Sequence, residues 1–358
     1  MAIHFHSLMI KKITQLTDGC VTLTFDVPEA LAPKYSFIQG QNLTLKTNID
    51  GEEIRRSYSI CSAAQEQELT VAVKKVGGGI FSTYVNDFLK AGMTIDVLPP
   101  TGNFYTPLKK ENKKNYVAFA AGSGITPIIS IIKTTLFTEL ESNFTLVYSN
   151  KTFNSIIFLE ELEGLKNKFV HRFNLINLLS RENADAAIFN GRINKEKLAD
   201  LSKLIRYSSI DDFFICGPAE MIFCAKAFLE ERGVNEGQIH FELFTAPGQR
   251  QNISTIEPGY IASEKSSRVS ITTDGRSLTF DVNYTGNSIL VEALQHGADL
   301  PFACKAGVCC TCKARLVSGK VHMDVNWGLE ADEIEKGFIL TCQSHPLTDE
   351  VSINFDDK

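Results

Sequence analysis

The chain has 358 residues, 44% hydrophobic and 22% charged, with 36 Lys and Arg against 42 Asp and Glu and a formal net charge of −6. That balance suits a globular protein of roughly two or three domains. With only 24 Gly and 11 Pro, it excludes disorder and collagen-like repetition. A net negative chain argues against nucleic acid as the partner, because phosphate binding runs on a positive surface. The charge is also uneven: residues 269–358 hold 13 acidic and 7 basic side chains, so the preceding 268 are neutral overall.

The first residues, Met1-Ala2-Ile3-His4-Phe5-His6, lack the basic start and apolar core of a secretory signal. The longest uncharged run, 116–132, is broken by Gly122, Ser123, Gly124 and Pro127, which is unlike a membrane span. A cytoplasmic protein with no membrane contact is expected.

Residues 1 to 106 carry alternating segments at 21–27, 42–46, 69–73 and 93–97, punctuated by Pro28, Gly40, Gly51, Gly92 and Pro99. Short strands so spaced predict an antiparallel sheet or barrel. From 112 to 245 the pattern changes. Apolar strand-like runs at 116–121, 144–149 and 213–216 alternate with helical stretches at 127–137, 158–165 and 219–231. That alternation predicts crossover units and a parallel sheet with helices on both faces. Residues 246–268 lack apolar content and read as a linker. The last 90 residues, 269–358, read as a small α+β unit.

Five of the nine cysteines lie in that last unit. Cys304, Cys309 and Cys312 follow the pattern C-x4-C-x2-C, and Cys342 comes 29 residues later. This is the ligand spacing of a plant-type [2Fe–2S] ferredoxin. Ala306 and Gly307 leave room for the loop to wrap a cluster closely. A structural zinc site is the competing reading, although zinc sites more often pair two C-x2-C units. Cys310 lies between ligands and is assigned no ligand role.

Arg56-Ser57-Tyr58-Ser59 ends a strand-like segment. A guanidinium fork suits phosphate, and a ring two residues on could stack on a planar cofactor. Gly77-Gly78-Gly79-Ile80-Phe81-Ser82 then opens a helix, an arrangement that aims backbone N–H groups at an anion. A surface strand and a flexible hairpin loop would be the plainer explanations of the two segments. Together with Phe37-Ile38-Gln39-Gly40-Gln41, they resemble the flavin domain of the ferredoxin–NADP reductase superfamily. The resemblance implies that Arg56 binds the flavin phosphate, Ser57 belongs to the same cofactor site, Tyr58 stacks on the ring and Ser59 bonds near the reactive nitrogen. Gly79 and Ser82 would hold a pyrophosphate, which implies FAD rather than FMN.

Ala121-Gly122-Ser123-Gly124-Ile125-Thr126-Pro127 follows an apolar strand and enters a helix, the setting in which paired glycines approach a dinucleotide. The superfamily's nicotinamide domain begins in this way, which assigns Gly122, Ser123, Gly124 and Thr126 to that cofactor. By the same resemblance Ser180 and Arg181 grip the 2′-phosphate of NADPH, and Cys216 and Gly217 lie beside the nicotinamide ring. Glu242 would assist proton or charge handling, and Phe244 would cover the flavin until nicotinamide displaces it. A surface turn at 180–181, a core thiol at 216 and a core ring at 244 are the plainer alternatives.

The resemblance spans nearly the whole chain. It implies an antiparallel β-barrel FAD domain (1–106), an α/β parallel-sheet NADP domain (112–245), a linker (246–268) and a β-grasp plant-type ferredoxin domain (269–358). The segments 304–313, 321–326 and 337–343 resemble the reductase components of phenylacetyl-CoA epoxidases. The implied role is to pass electrons from NADPH through FAD and [2Fe–2S] to a di-iron oxygenase. Asp324, Glu330, Asp332, Glu333 and Glu335 are candidates for an acidic docking surface. Service to another hydroxylase, a Rieske dioxygenase or a hybrid-cluster protein is the alternative within this chemistry. A flavoprotein with a zinc-stabilised binding module is the alternative from another class.

Overall fold

The computed structural model describes residues 4–184, 186–244 and 265–357. The alternating segments near the start become six antiparallel strands: β1 (His6–Thr17), β2 (Cys20–Asp26), β3 (Asn42–Ile49), β4 (Glu52–Ser59), β5 (Leu69–Lys74) and β6 (Thr94–Val97). Their order is β4-β3-β6-β1-β2-β5. A bridge between Ile60 and Val71 joins the two edge strands, closing the sheet into a barrel. Inward residues such as Leu8, Leu23, Leu45, Val71 and Val97 fill it. Helix α1 (Ile80–Asp87) lies beside β5 and inserts Phe81 and Val85 into the same core.

The next region forms a parallel sheet: β7 (Asn115–Ala121), β8 (Asn143–Asn150), β9 (Phe173–Leu179), β10 (Asp212–Gly217) and β11 (Ile239–Leu243), ordered β11-β10-β7-β8-β9. The chain first builds outward from β7 to β9, then returns to lay β10 on the other side of β7. The reversal opens a crevice at the carboxyl ends of β7 and β10, where open α/β sheets bind ligands. Helix α2 (Ile125–Thr138) is apolar nearly all round, and 12 of its residues are buried. It sits between this sheet and the barrel, with Ser130 Oγ donating to Ser62 O at 2.7 Å. Lys133 Nζ reaches Glu66 across that seam at 3.0 Å and Glu161 of α3 (Leu159–Lys168) at 2.8 Å. Helices α4 (Lys195–Leu201) and α5 (Ala219–Glu230) cover the other face.

The last region is a mixed five-stranded sheet: β12 (Ser266–Thr273), β13 (Arg276–Asn283), β14 (Lys313–Ser318), β16 (Phe338–Leu340) and β18 (Glu350–Asn354), ordered β13-β12-β18-β14-β16. Strands β12 and β18 run parallel, and helix α6 (Ile289–Gln295) packs into the core. A small hairpin-like pair, β15 (Val321–Met323) with β17 (Ser344–Pro346), and helix α7 (Ala331–Glu335) complete it. This is the β-grasp arrangement of a ferredoxin domain. Most of the segment read as a linker lies outside the described residues. Its last residues, 266–268, differ from that reading: Ser266, Ser267 and Arg268 pair with Asn283, Val282 and Asp281 as the start of β12. Backbone pairing there outweighs polar composition.

Candidate functional site

Four elements converge where the three domains meet. A cleft is lined by Asn42, Arg56, Ser57 and Ser59 from the barrel, by Glu242, Leu243 and Phe244 from the end of β11, and by Cys304, Val308 and Cys309 from the ferredoxin loop. Asn42 and Cys309, 267 positions apart in sequence, thus share one wall.

On the barrel side, β4 is the edge strand that carries the flavin motif. Arg56 Nη1 donates to Arg55 O at 2.7 Å, and the guanidinium remains half-buried beside the cleft. Tyr58 stacks on Phe81 of α1 with centroids 5.8 Å apart and planes 30° apart, which fixes its ring. Gly79 caps α1, and a Cβ there would stand 2.7 Å from Ser82 Oγ. Ser82 Oγ accepts from Val76 N and donates to Gly79 O, each at 3.1 Å, so it shapes the glycine turn. That turn leaves first-turn N–H groups for an anion, as the start of any helix does. The residues fit a flavin with a phosphate tail.

Across the cleft, Ser59 Oγ donates to Glu242 Oε2 at 2.9 Å. Burial pushes the Glu242 carboxyl up to about 7, with the Ser59 hydrogen bond opposing the shift and Cys309 adding to it. Cys216 pairs in register with Glu242 on β11 and Ala120 on β7. Its thiol is pushed well above the ordinary range, first by burial and then by Glu242. Phe244 is 41% exposed at the rim, rather than in the core.

The nicotinamide motif sits on the topological reversal. Gly124 lies so close to β10 that a Cβ would be 2.1 Å from Cys216 O. At Gly217 a Cβ would meet Met221 at 2.7 Å. Gly122 has φ +54°, and its carbonyl accepts from Tyr148 at 2.9 Å. Thr126 Oγ1 donates to Ser123 O at 3.1 Å, closing the turn into α2. Ser180 follows β9 and donates to Asn150 O at 3.1 Å, while Arg181 N donates to Lys151 O and its side chain is exposed. This bare turn between glycines fits a dinucleotide. Sequence reasoning passes over Lys74, whose Nζ would lie 3.5 Å from a Cβ on Gly122. Nothing in the local pattern of β5 marks it, because its neighbour is 48 positions away.

Of the four cysteines in the C-x4-C-x2-C pattern and its distant fourth member, Cys309, Cys312 and Cys342 are buried and Cys304 is half-buried. Cys304 N donates to Cys309 Sγ at 3.5 Å. These thiols stand where ligating thiolates would be. Among the described residues no three His, Cys, Asp or Glu side chains converge on a single ion-sized point. Four cysteines at this spacing would suit a plant-type [2Fe–2S] cluster. Gly307, at φ +74°, could not carry a Cβ, which would fall 2.7 Å from Val325 O. Ala306 N donates to Cys304 Sγ at 3.3 Å. The Cys310 thiol turns away and donates to Gly328 O.

One docking candidate is corrected. Glu333 is 13% exposed, pairs with Lys313 at 2.6 Å and accepts from Asn103 Nδ2 of the barrel at 2.8 Å. It ties the ferredoxin to the body of the protein and is not available to a partner. Asp324, Glu330, Asp332 and Glu335 are exposed.

Comparison with known proteins agrees in every domain. Residues 7–106 match the oxidoreductase FAD-binding domain, 119–227 the oxidoreductase NAD-binding domain and 271–347 the 2Fe-2S iron-sulfur cluster binding domain. The chain is 44% identical, over 99% of its length and 98% of the relative's, to one component of the 1,2-phenylacetyl-CoA epoxidase from Escherichia coli K12. It is 32% identical, over 99% and 97%, to the ferredoxin reductase component of 3-ketosteroid-9-alpha-monooxygenase from Mycobacterium tuberculosis H37Rv. In fold it is similar to phthalate dioxygenase reductase, with TM-score 0.60, 23% identity and 98% of both chains covered. The zinc alternative is set aside by the matched 2Fe-2S domain. Among the described residues no helix is long and apolar enough to cross a membrane. The chain is an NAD(P)H-dependent oxidoreductase that belongs to the ferredoxin–NADP reductase superfamily, in the family of oxygenase reductase components that includes the matching component of 1,2-phenylacetyl-CoA epoxidase.

Proposed function

We propose that this chain carries electrons from NADPH, by way of FAD and a [2Fe–2S] cluster, to the di-iron oxygenase component of a phenylacetyl-CoA epoxidase in the cytoplasm. The observation that carries the reading is the shared cleft, where the flavin strand, the end of the nicotinamide domain and the cluster thiols meet. Identity of 44% over the whole length supports the choice of oxygenase. When bound, the flavin takes two electrons as hydride and the cluster carries them singly onward.

The chain's own residues supply binding, orientation and proton placement. Arg56 and Ser57 hold the flavin's phosphate end, Tyr58 backs the ring, and Gly79 with Ser82 shapes the pyrophosphate turn. Gly122, Ser123, Gly124 and Thr126 seat the dinucleotide, and Ser180 with Arg181 favours a 2′-phosphate. Cys216 stays a neutral thiol near the nicotinamide position, with Gly217 giving close approach. Glu242, brought to about 7 by burial, holds a proton beside Ser59 Oγ near neutrality. Phe244 shields the cleft rim from water. Cys304, Cys309, Cys312 and Cys342 hold the cluster.

Reconstitution tests the assignment. With the purified epoxidase oxygenase, NADPH and phenylacetyl-CoA, epoxide forms only when this chain is added. Equal turnover of a Rieske oxygenase, with none of the epoxidase, would refute it.

A further inference from the structure

A row of hydroxyls joins the barrel to the ferredoxin loop, and its central member, Thr44, lies in no motif. Thr44 on β3 and Ser57 on β4 are direct partners in the ladder, with Oγ atoms 3.2 Å apart. Thr44 Oγ1 also lies 3.2 Å from Thr311 Oγ1, in the loop between Cys309 and Cys312. Thr311 Oγ1 donates to Cys309 O at 3.4 Å. Thr44 is 1% exposed and Thr311 3%, so water does not compete for these groups.

A hydroxyl has one proton to donate. Thr311 uses its proton on the backbone carbonyl of Cys309, so from Thr44 it can only accept. Thr44 therefore donates to Thr311 and accepts from Ser57. The row has a single sense, running from the flavin strand to the loop segment that carries one cleft-facing ligand. Its dipoles point their positive ends toward the Cys309 backbone beside the thiol, and a positive dipole end there would favour a more negative, reduced cluster.

We propose that Ser57, Thr44 and Thr311 form a positioning relay that fixes the Cys309 edge of the cluster against the flavin strand and raises the cluster's reduction potential. The relay rests on the flavin-to-cluster reading above. It carries no electron and releases no proton. It sets the separation and local field across which one electron leaves the flavin and enters the cluster.

The test uses the full chain loaded with FAD and cluster, as wild type, Thr44→Val, Thr311→Val and Thr44→Ser. Cluster potential is read by spectroelectrochemical titration, and transfer by stopped-flow bleaching after NADPH, with flavin reduction in the same trace as the internal comparison. Each valine variant should shift the cluster potential to more negative values and slow bleaching by about tenfold, the effect of one lost hydrogen bond. Thr44→Ser should restore both. Unchanged potential and bleaching in both valine variants overturn the relay, as does a serine variant that behaves like valine. If Thr44→Val does not fold, Thr311→Val and Thr44→Ser decide by the same readings. A wild-type cluster that is never bleached would instead overturn the flavin-to-cluster reading, and the relay with it.

Discussion

Arg55 and Arg56 are neighbours on β4, so their side chains leave opposite faces of the strand. Arg56 borders the cleft, whereas Arg55 is 8% exposed beneath the ferredoxin domain. Its Nη1 donates to Leu300 O at 3.2 Å, and its guanidinium lies 4.0 Å from the centroid of Phe302. Replacing it by Met keeps much of the apolar stem but removes both contacts. A hydrogen bond from a charged donor contributes about 1.5–3 kcal/mol, and a desolvated cation–π contact about 2 kcal/mol. The ion pair with Glu53 adds little, because Glu53 is half-exposed. Allowing for non-additivity, Arg55→Met should weaken ferredoxin docking by about 3 kcal/mol, about a hundredfold. Trp327, the chain's single tryptophan, reports docking because its ring is 5.4 Å from Phe223 of the nicotinamide domain. Urea titration followed by its emission should show an early transition whose free energy falls by that amount. Arg55→Lys should be intermediate, since an ammonium cannot reproduce the planar fork. A change in Arg55→Met of under about 0.5 kcal/mol, typical of an uninvolved surface position, would refute the assigned contacts.

Other outcomes follow from the same geometry. Arg181→Ala should raise KM for NADPH by about tenfold while leaving KM for NADH nearly unchanged, by loss of a charge-assisted bond; equal effects would remove the 2′-phosphate assignment. Gly124→Ala forces a Cβ to 2.1 Å from Cys216 O, so the unfolding temperature should drop and flavin reduction by NADPH should fail together. Glu242 has a raised folded-state pKa, so its contribution to stability is full below the unfolded carboxyl range and is lost as pH rises toward about 7. In the flavin-free chain Glu242→Gln should flatten that loss in a series of urea titrations across the interval, and an unaltered pH profile would contradict the burial argument.

What the sequence made legible was local, and what it hid was distant. The turn at 122–124, the helix after it and the C-x4-C-x2-C loop each declare themselves within a dozen residues, because glycine and ligand spacing answer to backbone geometry. Strand β1 escapes the pattern because its apolar residues are interrupted by Lys11, Lys12 and Gln15, and the ladder to β2 shifts register between Ile10 and Lys12. Strand β9 escapes it for a similar reason: Asn174 and Asn177 interrupt its apolar run, while the parallel ladder to β8 runs from Phe173 to Leu179. The cleft itself has no local signal. Ser59 and Glu242 meet only because β4 ends the barrel facing the end of β11, and Thr44 meets Thr311 only because the ferredoxin docks over β3. Glu333 shows the converse. Composition places it among docking carboxylates, but Lys313 and Asn103 claim it for the inner seam.

This division of charge separates two docking events by their response to salt. The inner seam uses buried hydroxyls, one buried guanidinium and a carboxylate held by Lys313, all shielded from mobile ions. Exposed Asp324, Glu330, Asp332 and Glu335, on a domain of net charge −6, form the surface we propose for the outer encounter. The Debye length falls from about 30 Å at 0.01 M salt to about 8 Å at 0.15 M, which screens exposed groups and leaves buried ones nearly untouched. Bleaching of the cluster by NADPH should therefore be almost constant over that range. Delivery to the oxygenase should slow steeply, with reduction of a small uncharged dye as control. The double substitution Asp332→Asn and Glu335→Gln should mimic high salt in the second step and leave the first unchanged. Salt sensitivity confined to the bleaching step would reverse the assignment of the two surfaces. Its absence from both steps would remove electrostatic docking altogether.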